Sequence, residues 1–141
     1  GEMAGKVLPE AFTCFTLSLD NLSELTKRFG YTVGDGVLKD FAGLVQLMGD
    51  TEGMRGYNGV GRFVVFFEEC SSKKAAAMIR ILDNQVEEYN SLNPEYPIRY
   101  TAAWATTEET DTYEIRELLR LSQKKWKQME KEKKDKTEEE T

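Results

Sequence analysis

The sequence offers few side chains that could carry out catalysis. It contains no histidine, which removes Ser/His and Cys/His nucleophilic sites and the usual zinc sites. The two cysteines, Cys14 and Cys70, have neither a metal-binding spacing nor a disulfide framework, so reduced thiols are predicted. Asp20 follows an apolar segment and Asp35 lies in a glycine-rich one. The chemistry that these residues still allow is that of carboxylates, with or without a bound cation.

A glycine-rich turn between two strand-like segments is the central feature of the chain. Met54–Tyr57 and Arg62–Phe67 have the composition of paired strands, and the second is typical of a buried central strand. Residues 58–61 include two glycines and an asparagine, which tolerate positive φ and predict a hairpin turn. A tight hairpin tip is a good place for carboxylates that hold metal ions, but Gly61 and Arg62 supply none.

The elements that position these residues follow from the apolar periodicity. Phe12–Asp20 alternates apolar and polar residues and predicts a strand whose polar face includes Ser18. Four segments with a helical apolar stripe and a further strand-like segment, Ile98–Ala105, complete the order β-α-α-β-β-α-β-α. The predicted N-caps are Asp20 or Asn21, Asp35, Ser71 or Ser72, and Asp111 or Thr112. This order predicts an α+β fold, an antiparallel-rich sheet with helices packed on its faces.

Length and composition indicate one globular domain. The chain has 141 residues, 40% of them hydrophobic, and no apolar segment of transmembrane length or signal-peptide pattern. A net charge of −6 argues against nucleic acid as a partner. Residues 1–11 are interpreted as a tag remnant and linker, as if the chain were cut from something longer. Residues 12–129 form the predicted domain, and residues 130–141 form a charged C-terminal tail.

These features resemble the GGDEF, or diguanylate cyclase, family. The residues in step with the opening pattern of that family are Leu19-Asp20, Leu25, Phe29-Gly30, Val33-Gly34-Asp35 and Val37-Leu38. Gly59-Val60-Gly61-Arg62-Phe63 stands where the signature Gly-Gly-Asp/Glu-Glu-Phe is expected. The resemblance covers Phe12 to Met129. It implies a ferredoxin-like, nucleotide cyclase-type sheet and a role in cyclic di-GMP signalling.

The signature lacks the chemistry that the resemblance implies. Active members use two carboxylates to bind two Mg²⁺ or Mn²⁺ ions, which neutralise the triphosphate of GTP. Ser18 and Gly61 stand at those two positions, and Arg62 replaces the neighbouring acid. A hydroxyl is a poor ligand for a hard cation and glycine is none, so no resident metal is predicted. Asp20, on the face of Ser18, could hold one ion weakly or cap a helix.

The nucleotide-binding residues are retained in part. The residues treated as vestigial nucleotide-binding positions are Asp20, Asn21, Thr26 and Asp35. The resemblance assigns guanine recognition to positions 26 and 35; Thr26 lacks the expected amide, and Asp35 could accept from guanine or cap a helix. The phosphate-binding positions fall on Met129 and on the region of Lys133 and Lys134. An inhibitory Arg-x-x-Asp motif is absent at positions 50–53.

The sequence therefore predicts a catalytically inactive GGDEF-like domain that acts as a regulatory or interaction module in a larger bacterial signalling protein. The expected location is the cytoplasm, and the expected partners are other domains of that protein or a second copy. Two alternatives remain open. One is a guanine-nucleotide sensor without turnover, in which Arg62 replaces metal charge against phosphate. The other is a residual diguanylate cyclase, which would need Mg²⁺ or Mn²⁺.

Overall fold

The computed structural model describes residues 11–48, 54–57 and 61–140. The elements in this part of the chain follow the predicted order. The strands are β1 (Thr13–Leu19), β2 (Met54–Tyr57), β3 (Arg62–Phe67) and β4 (Tyr100–Thr106). The helices are α1 (Leu22–Phe29), α2 (Tyr31–Gln46), α3 (Ser72–Leu92) and α4 (Ile115–Glu140), with a 3-10 turn at Thr107–Glu109.

The strands form one antiparallel sheet in the order β2-β3-β1-β4. β1 lies between β3 and β4 and pairs with both along its length. β2 and β3 pair as the predicted hairpin, although its tip, residues 58–60, lies outside the described residues. The α+β fold with an antiparallel sheet and helices on its faces is confirmed.

The two faces of β1 pack against different helices. Phe15, Leu17 and Leu19 point into the main core, which α2 and α3 close from the other side. The opposite face was predicted to be polar, and its residues are indeed Thr16 and Ser18. This face is nevertheless buried, because α4 lies across β1 and β4. Thr16 is 3% exposed and Ser18 is 5% exposed.

The predicted start of α2 is wrong. Asp35 was expected to cap this helix, but α2 already begins at Tyr31 and Asp35 lies inside it. Gly30 has a φ of +94°, which lets the chain reverse between α1 and α2 in a single residue. Gly34 is required by close packing, since a Cβ there would lie 2.4 Å from Oγ1 of Thr26. The glycines thus make a tight helix–helix junction where a longer turn was predicted.

The cap predicted at Asp20 or Asn21 is confirmed in its position only. Asn21 occupies the N-cap position of α1, but its side chain makes no capping hydrogen bond. Its amide nitrogen instead donates to the carbonyl of Pro97 at 2.7 Å, and its side-chain oxygen accepts from the Arg99 N–H at 3.2 Å. Asn21 therefore ties the start of α1 to the segment that enters β4.

One of the two caps predicted for the later helices is confirmed. The Ser71 side chain accepts from the N–H of Lys74 at 3.1 Å, as the cap of α3. The Thr112 hydroxyl accepts from the N–H of Glu114 at 3.1 Å, but α4 begins at Ile115, so neither Asp111 nor Thr112 lies at its N-cap position. None of the described helices is long and apolar enough to cross a membrane.

Both cysteines are free and buried, as predicted. Burial raises the pKa of the Cys14 thiol to about 11, and the bond to Ser122 opposes this shift. The Sγ of Cys14 and the Oγ1 of Thr16 lie 3.3 Å and 2.7 Å from the Ser122 hydroxyl. A buried thiol with a raised pKa is a weak nucleophile. These residues form a small polar contact between β1 and α4 with a structural role.

Candidate functional site

The sheet register brings two of the predicted signature positions together. Ser18 of β1 lies directly opposite Arg62 of β3, on the face that α4 covers. Gly61 precedes Arg62 with a φ of +79°, and its carbonyl accepts from the N–H of Leu19 at 2.8 Å. Positions 18, 61 and 62 are therefore adjacent. Gly59 and Val60 lie outside the described residues, and Phe63 points into the core.

Helix α4 inserts Trp126 at this point. Its ring is 7% exposed, and its Nε1–H donates to the hydroxyl of Ser18 at 2.8 Å. That hydroxyl in turn donates to Oδ1 of Asp20 at 2.6 Å. The Ser18 hydroxyl is therefore engaged by protein groups both as donor and as acceptor.

Arg62 completes the contact from the other side of the indole. Its Cζ lies 4.3 Å from the centroid of the Trp126 ring, which is a cation–π distance. Arg62 was interpreted as a solvated residue at the hairpin tip or as a phosphate-binding cation. Its exposed side chain stacks on Trp126 of α4. A guanidinium thus occupies a position where the family resemblance implies an acid.

Asp20 binds a protein cation. Its Oδ2 accepts from the Thr101 hydroxyl at 2.5 Å and lies 3.8 Å from Nζ of Lys133. The Lys133 ammonium also donates to the carbonyl of Tyr100 at 2.8 Å and to Oγ1 of Thr101 at 2.7 Å. A carboxylate, a hydroxyl and a carbonyl thus surround an ammonium group in the way that oxygen ligands surround a metal ion.

Glu130 adds a second carboxyl group beside Asp20. Burial raises the pKa of Glu130, and contact with Asp20 raises it further, while Thr101 and Lys133 oppose the shift. Its Oε1 is buried, and no group in the described part of the chain bonds to it.

The residues at this site do not fit the two-metal chemistry of the family. Within residues 11–48, 54–57 and 61–140, no group of three or more His, Cys, Asp or Glu side chains could hold a metal ion. Ser18 is engaged by Trp126, Gly61 has no side chain, and Arg62 brings a positive charge. A divalent cation at Asp20 would have to displace the Lys133 ammonium, which already neutralises that carboxylate.

The residues predicted to bind a guanine base are not gathered at Asp20. Thr26 packs against Gly34 at the junction of α1 and α2. Asp35 is exposed and pairs with Lys39 at 3.1 Å, the i,i+4 spacing of a helix-surface ion pair. Asn21 is the nearest of them in the chain, and its side chain is engaged by Pro97 and Arg99.

Sequence reasoning identified only part of what α4 brings to the site. The family resemblance assigned phosphate binding to the region of Lys133 and Lys134, but no site role was predicted for Trp126 or Glu130, and residues 130–141 were interpreted as a charged tail. The helix instead continues to Glu140, with Glu130 and Lys133 facing β1 and β4. The signal was the spacing of Ser122, Trp126, Glu130 and Lys133 by three or four residues, which places them on one helix face.

A cleft of about 920 Å³ opens beside Asp20, between the start of β4 and the C-terminal half of α4. Arg99, Tyr100 and Glu130 line its base. The lysines that line it are Lys131, Lys133, Lys134 and Lys136. Cations outnumber acids on its wall, so its chemistry suits an anion better than a cation.

Glu130→Gln tests the carboxyl pair. A Glu whose pKa is raised by folding stabilises the protein fully below its ordinary value of 4.5. That contribution is lost as the pH rises through the higher folded value. Glutamine cannot ionise, so the variant should be more stable than the wild type at pH 7.5, and the gain should vanish near pH 4.

Urea unfolding of both proteins across this pH range measures the effect. Glu132→Gln is the matched control, because Glu132 is exposed on the same helix and its Oε1 accepts from Gln128 at 3.1 Å. A Glu130→Gln variant less stable than the wild type at pH 7.5 would show that Lys133 outweighs the repulsion from Asp20.

Comparison with known proteins agrees with the fold and the hairpin geometry. The sequence model of the family described as "Diguanylate cyclase, GGDEF domain" matches residues 4–136. The chain belongs to the GGDEF domain family. No curated protein matches it.

Solved structures of GGDEF domains share this fold. The active GGEEF domain of a diguanylate cyclase from Vibrio cholerae is 19% identical, with a TM-score of 0.76 over 87% of this chain and 78% of that one. The FimX GGDEF domain from Pseudomonas aeruginosa is 17% identical, with a TM-score of 0.65 over 82% and 72% of the two chains. The GGDEF domain of DgcB from Caulobacter crescentus, solved with c-di-GMP, is 14% identical, with a TM-score of 0.57 over 68% and 59%. At these identities the likeness establishes the fold alone.

Proposed function

We propose that this domain is a GGDEF-family domain without diguanylate cyclase activity. It serves as a regulatory or interaction module of a larger bacterial signalling protein in the cytoplasm. The observation that carries the proposal is the contact of Trp126 with Ser18 and Arg62. At the two positions where the family resemblance implies metal-binding acids, the chain has a buried hydroxyl and a glycine, and a stacked guanidinium lies beside them.

The neighbouring charges support the same conclusion. Phosphoryl transfer needs divalent cations to neutralise the phosphates and the leaving group. Arg62 would repel a divalent ion placed between β1 and the hairpin, and Lys133 already neutralises Asp20. The replacement of acids by Ser18, Gly61 and Arg62 weakens the binding of a divalent ion at each position. Together these replacements leave the fold intact while eliminating the reaction.

The domain is expected to form no cyclic di-GMP. GTP with either Mg²⁺ or Mn²⁺ should give no product above a no-protein control by chromatography. The protein should be assayed alone and fused to a dimerising coiled coil, since each product molecule joins two nucleotides. The active Vibrio cholerae domain is the positive control. Sustained, metal-dependent product from the fusion would overturn the proposal.

Nucleotide binding without turnover is the second candidate function. The basic cleft beside Asp20 favours it, because its lysines could neutralise phosphates without a metal. Calorimetric titration with GTP, with and without Mg²⁺, tests this candidate. Binding that is unaffected by Mg²⁺ and weakened by Lys134→Ala would establish it, whereas the absence of binding in both titrations would eliminate it.

A further inference from the structure

The outer edge of β4 is closed by side chains. In the described sheet β4 is a terminal strand, next to β1. The Asp20 N–H donates to the Arg99 carbonyl and the Thr107 N–H donates to the Phe12 carbonyl, so the odd-numbered residues of this segment bond to β1. In an antiparallel pair the alternate residues direct their N–H and C=O groups the other way. Tyr100, Ala102, Trp104 and Thr106 therefore face the outer edge.

At three of these four residues, a side chain binds one of the two outward backbone groups, either the C=O or the N–H. Lys133 donates to the carbonyl of Tyr100 at 2.8 Å, and Lys125 donates to the carbonyl of Trp104 at 3.1 Å. The Thr106 N–H donates to Oε2 of Glu109 at 2.8 Å. The spacing of the two lysines matches that of the two carbonyls. Lys125 and Lys133 are about two helical turns apart, a rise of about 11 Å, and four strand residues from Tyr100 to Trp104 span about 13 Å.

Each lysine contacts an acidic side chain in addition to the strand carbonyl that it binds. Lys125 pairs with Glu109, and their side chains are 38% and 33% exposed. Lys133 lies beside Asp20, with exposures of 52% and 22%. These contacts fix the ammonium groups over the strand edge, so the lysines are positioned there by the fold.

An unpaired strand edge is a template for another strand, and lysine side chains are a common means of blocking it. We propose that the outer edge of β4 is a strand-pairing surface for a second copy of this chain, kept closed by Lys125 and Lys133. The edge is self-complementary. A two-fold axis at Ala102 would place Tyr100 of one copy opposite Trp104 of the other. Each opposed pair could then form both of its hydrogen bonds once the lysines no longer bind the Tyr100 and Trp104 carbonyls. The inference rests on the β4 contacts alone and is independent of cyclase activity.

The double variant Lys125→Met with Lys133→Met tests the proposal. Methionine keeps the length of the stem and removes the ammonium donors. Lys124→Met with Lys134→Met is the matched control, because it changes the net charge equally at exposed positions of the same helix. Sedimentation velocity over a range of concentrations measures association, and amide hydrogen exchange locates it.

The wild type and the control are expected to show no association through β4. The Lys125/Lys133 double variant should form a concentration-dependent dimer, with exchange at the Ala102 and Trp104 amides slowed by at least about tenfold. The proposal fails if that variant stays monomeric, if it dimerises without protecting these amides, or if the control associates equally. Should the double variant not fold, Lys125→Met alone decides, because it frees the Trp104 carbonyl to accept from the Tyr100 N–H of the other copy. Protection is then expected at the Tyr100 amide, and its absence would count against the proposal.

Discussion

Replacing Trp126 by alanine is expected to lower the free energy of unfolding by about 3–5 kcal/mol. The indole is 7% exposed and fills the space between β1 and α4, next to the hairpin. Its loss also leaves the Ser18 hydroxyl without its donor and Arg62 without the ring on which it stacks. Urea unfolding measures the change, followed by fluorescence of Trp104, since the sequence contains two tryptophans.

Two smaller changes separate the parts of this effect. Trp126→Phe keeps most of the apolar ring and removes the N–H, so it should cost about 1–2 kcal/mol. Arg62→Met removes the cation–π contact at an exposed position and should cost about 0.5–1 kcal/mol. A Trp126→Ala variant within 1 kcal/mol of the wild type would show that α4 does not dock over Ser18.

The order of elements could be predicted because local patterns determine it. The alternation in β1, the apolar run of Arg62–Phe67 and the helical stripes each indicate an element without long-range information. Ser71 was recognisable as a cap for the same reason, since its partner Lys74 is three residues away. That order predicted the α+β class, and the family resemblance added the ferredoxin-like, nucleotide cyclase-type sheet, which strand patterns alone do not specify.

The start of α2 and the role of Asp35 could not be predicted in this way. An aspartate among glycines is typical of an N-cap. The reversal instead occurs at Gly30, where the positive φ lets α2 begin one residue later. Asp35 then lies on an exposed helix surface with Lys39. The close contact of Gly34 with Thr26 sets how α1 and α2 pack against each other. A contact between two helices produces no local pattern in the sequence.

The candidate site was predictable on β1 and at the hairpin but not on α4. Ser18 and Arg62 are cross-strand neighbours, and the family signature aligns both. Glu130 and Lys133 lie in a run of mixed charge that normally marks a solvated surface. Their contacts depend on where α4 crosses the sheet, which follows from packing of Leu118 and Trp126.

Restoring acids at both family positions is expected to destabilise the domain without restoring turnover. In Ser18→Asp with Gly61→Glu, an L-residue at φ +79° costs about 1–2 kcal/mol. Its Cβ would lie 3.3 Å from the carbonyl oxygen of Leu19, which is tight. A carboxylate at position 18 would replace the hydroxyl that donates to Asp20 and bring a like charge beside it. The total loss should be on the order of 4 kcal/mol in EDTA.

Manganese should recover part of that stability, because an ion that binds only the folded state stabilises it by mass action. The matched control is Ser18→Asn with Gly61→Gln, which repeats the backbone strain and the side-chain shape without the charges, since glutamine is the uncharged isostere of glutamate. It should lose about 1–2 kcal/mol from the glycine position and gain nothing from Mn²⁺. Thermal unfolding of Ser18→Asp/Gly61→Glu and of this control, with EDTA and with Mn²⁺, makes the comparison.

The same variant should still convert no GTP to cyclic di-GMP, because two acids do not restore the remaining parts of the site. Arg62 would stay beside the new carboxylates and offset their charge, and Thr26 would still lack an amide for the base. Lys133 would continue to hold Asp20. Robust turnover in Mn²⁺ would mean that Trp126 and Lys133 leave the pocket readily once metal binds. A melting temperature that Mn²⁺ does not raise would instead show that positions 18 and 61 cannot share an ion, even though the register places Ser18 opposite Arg62.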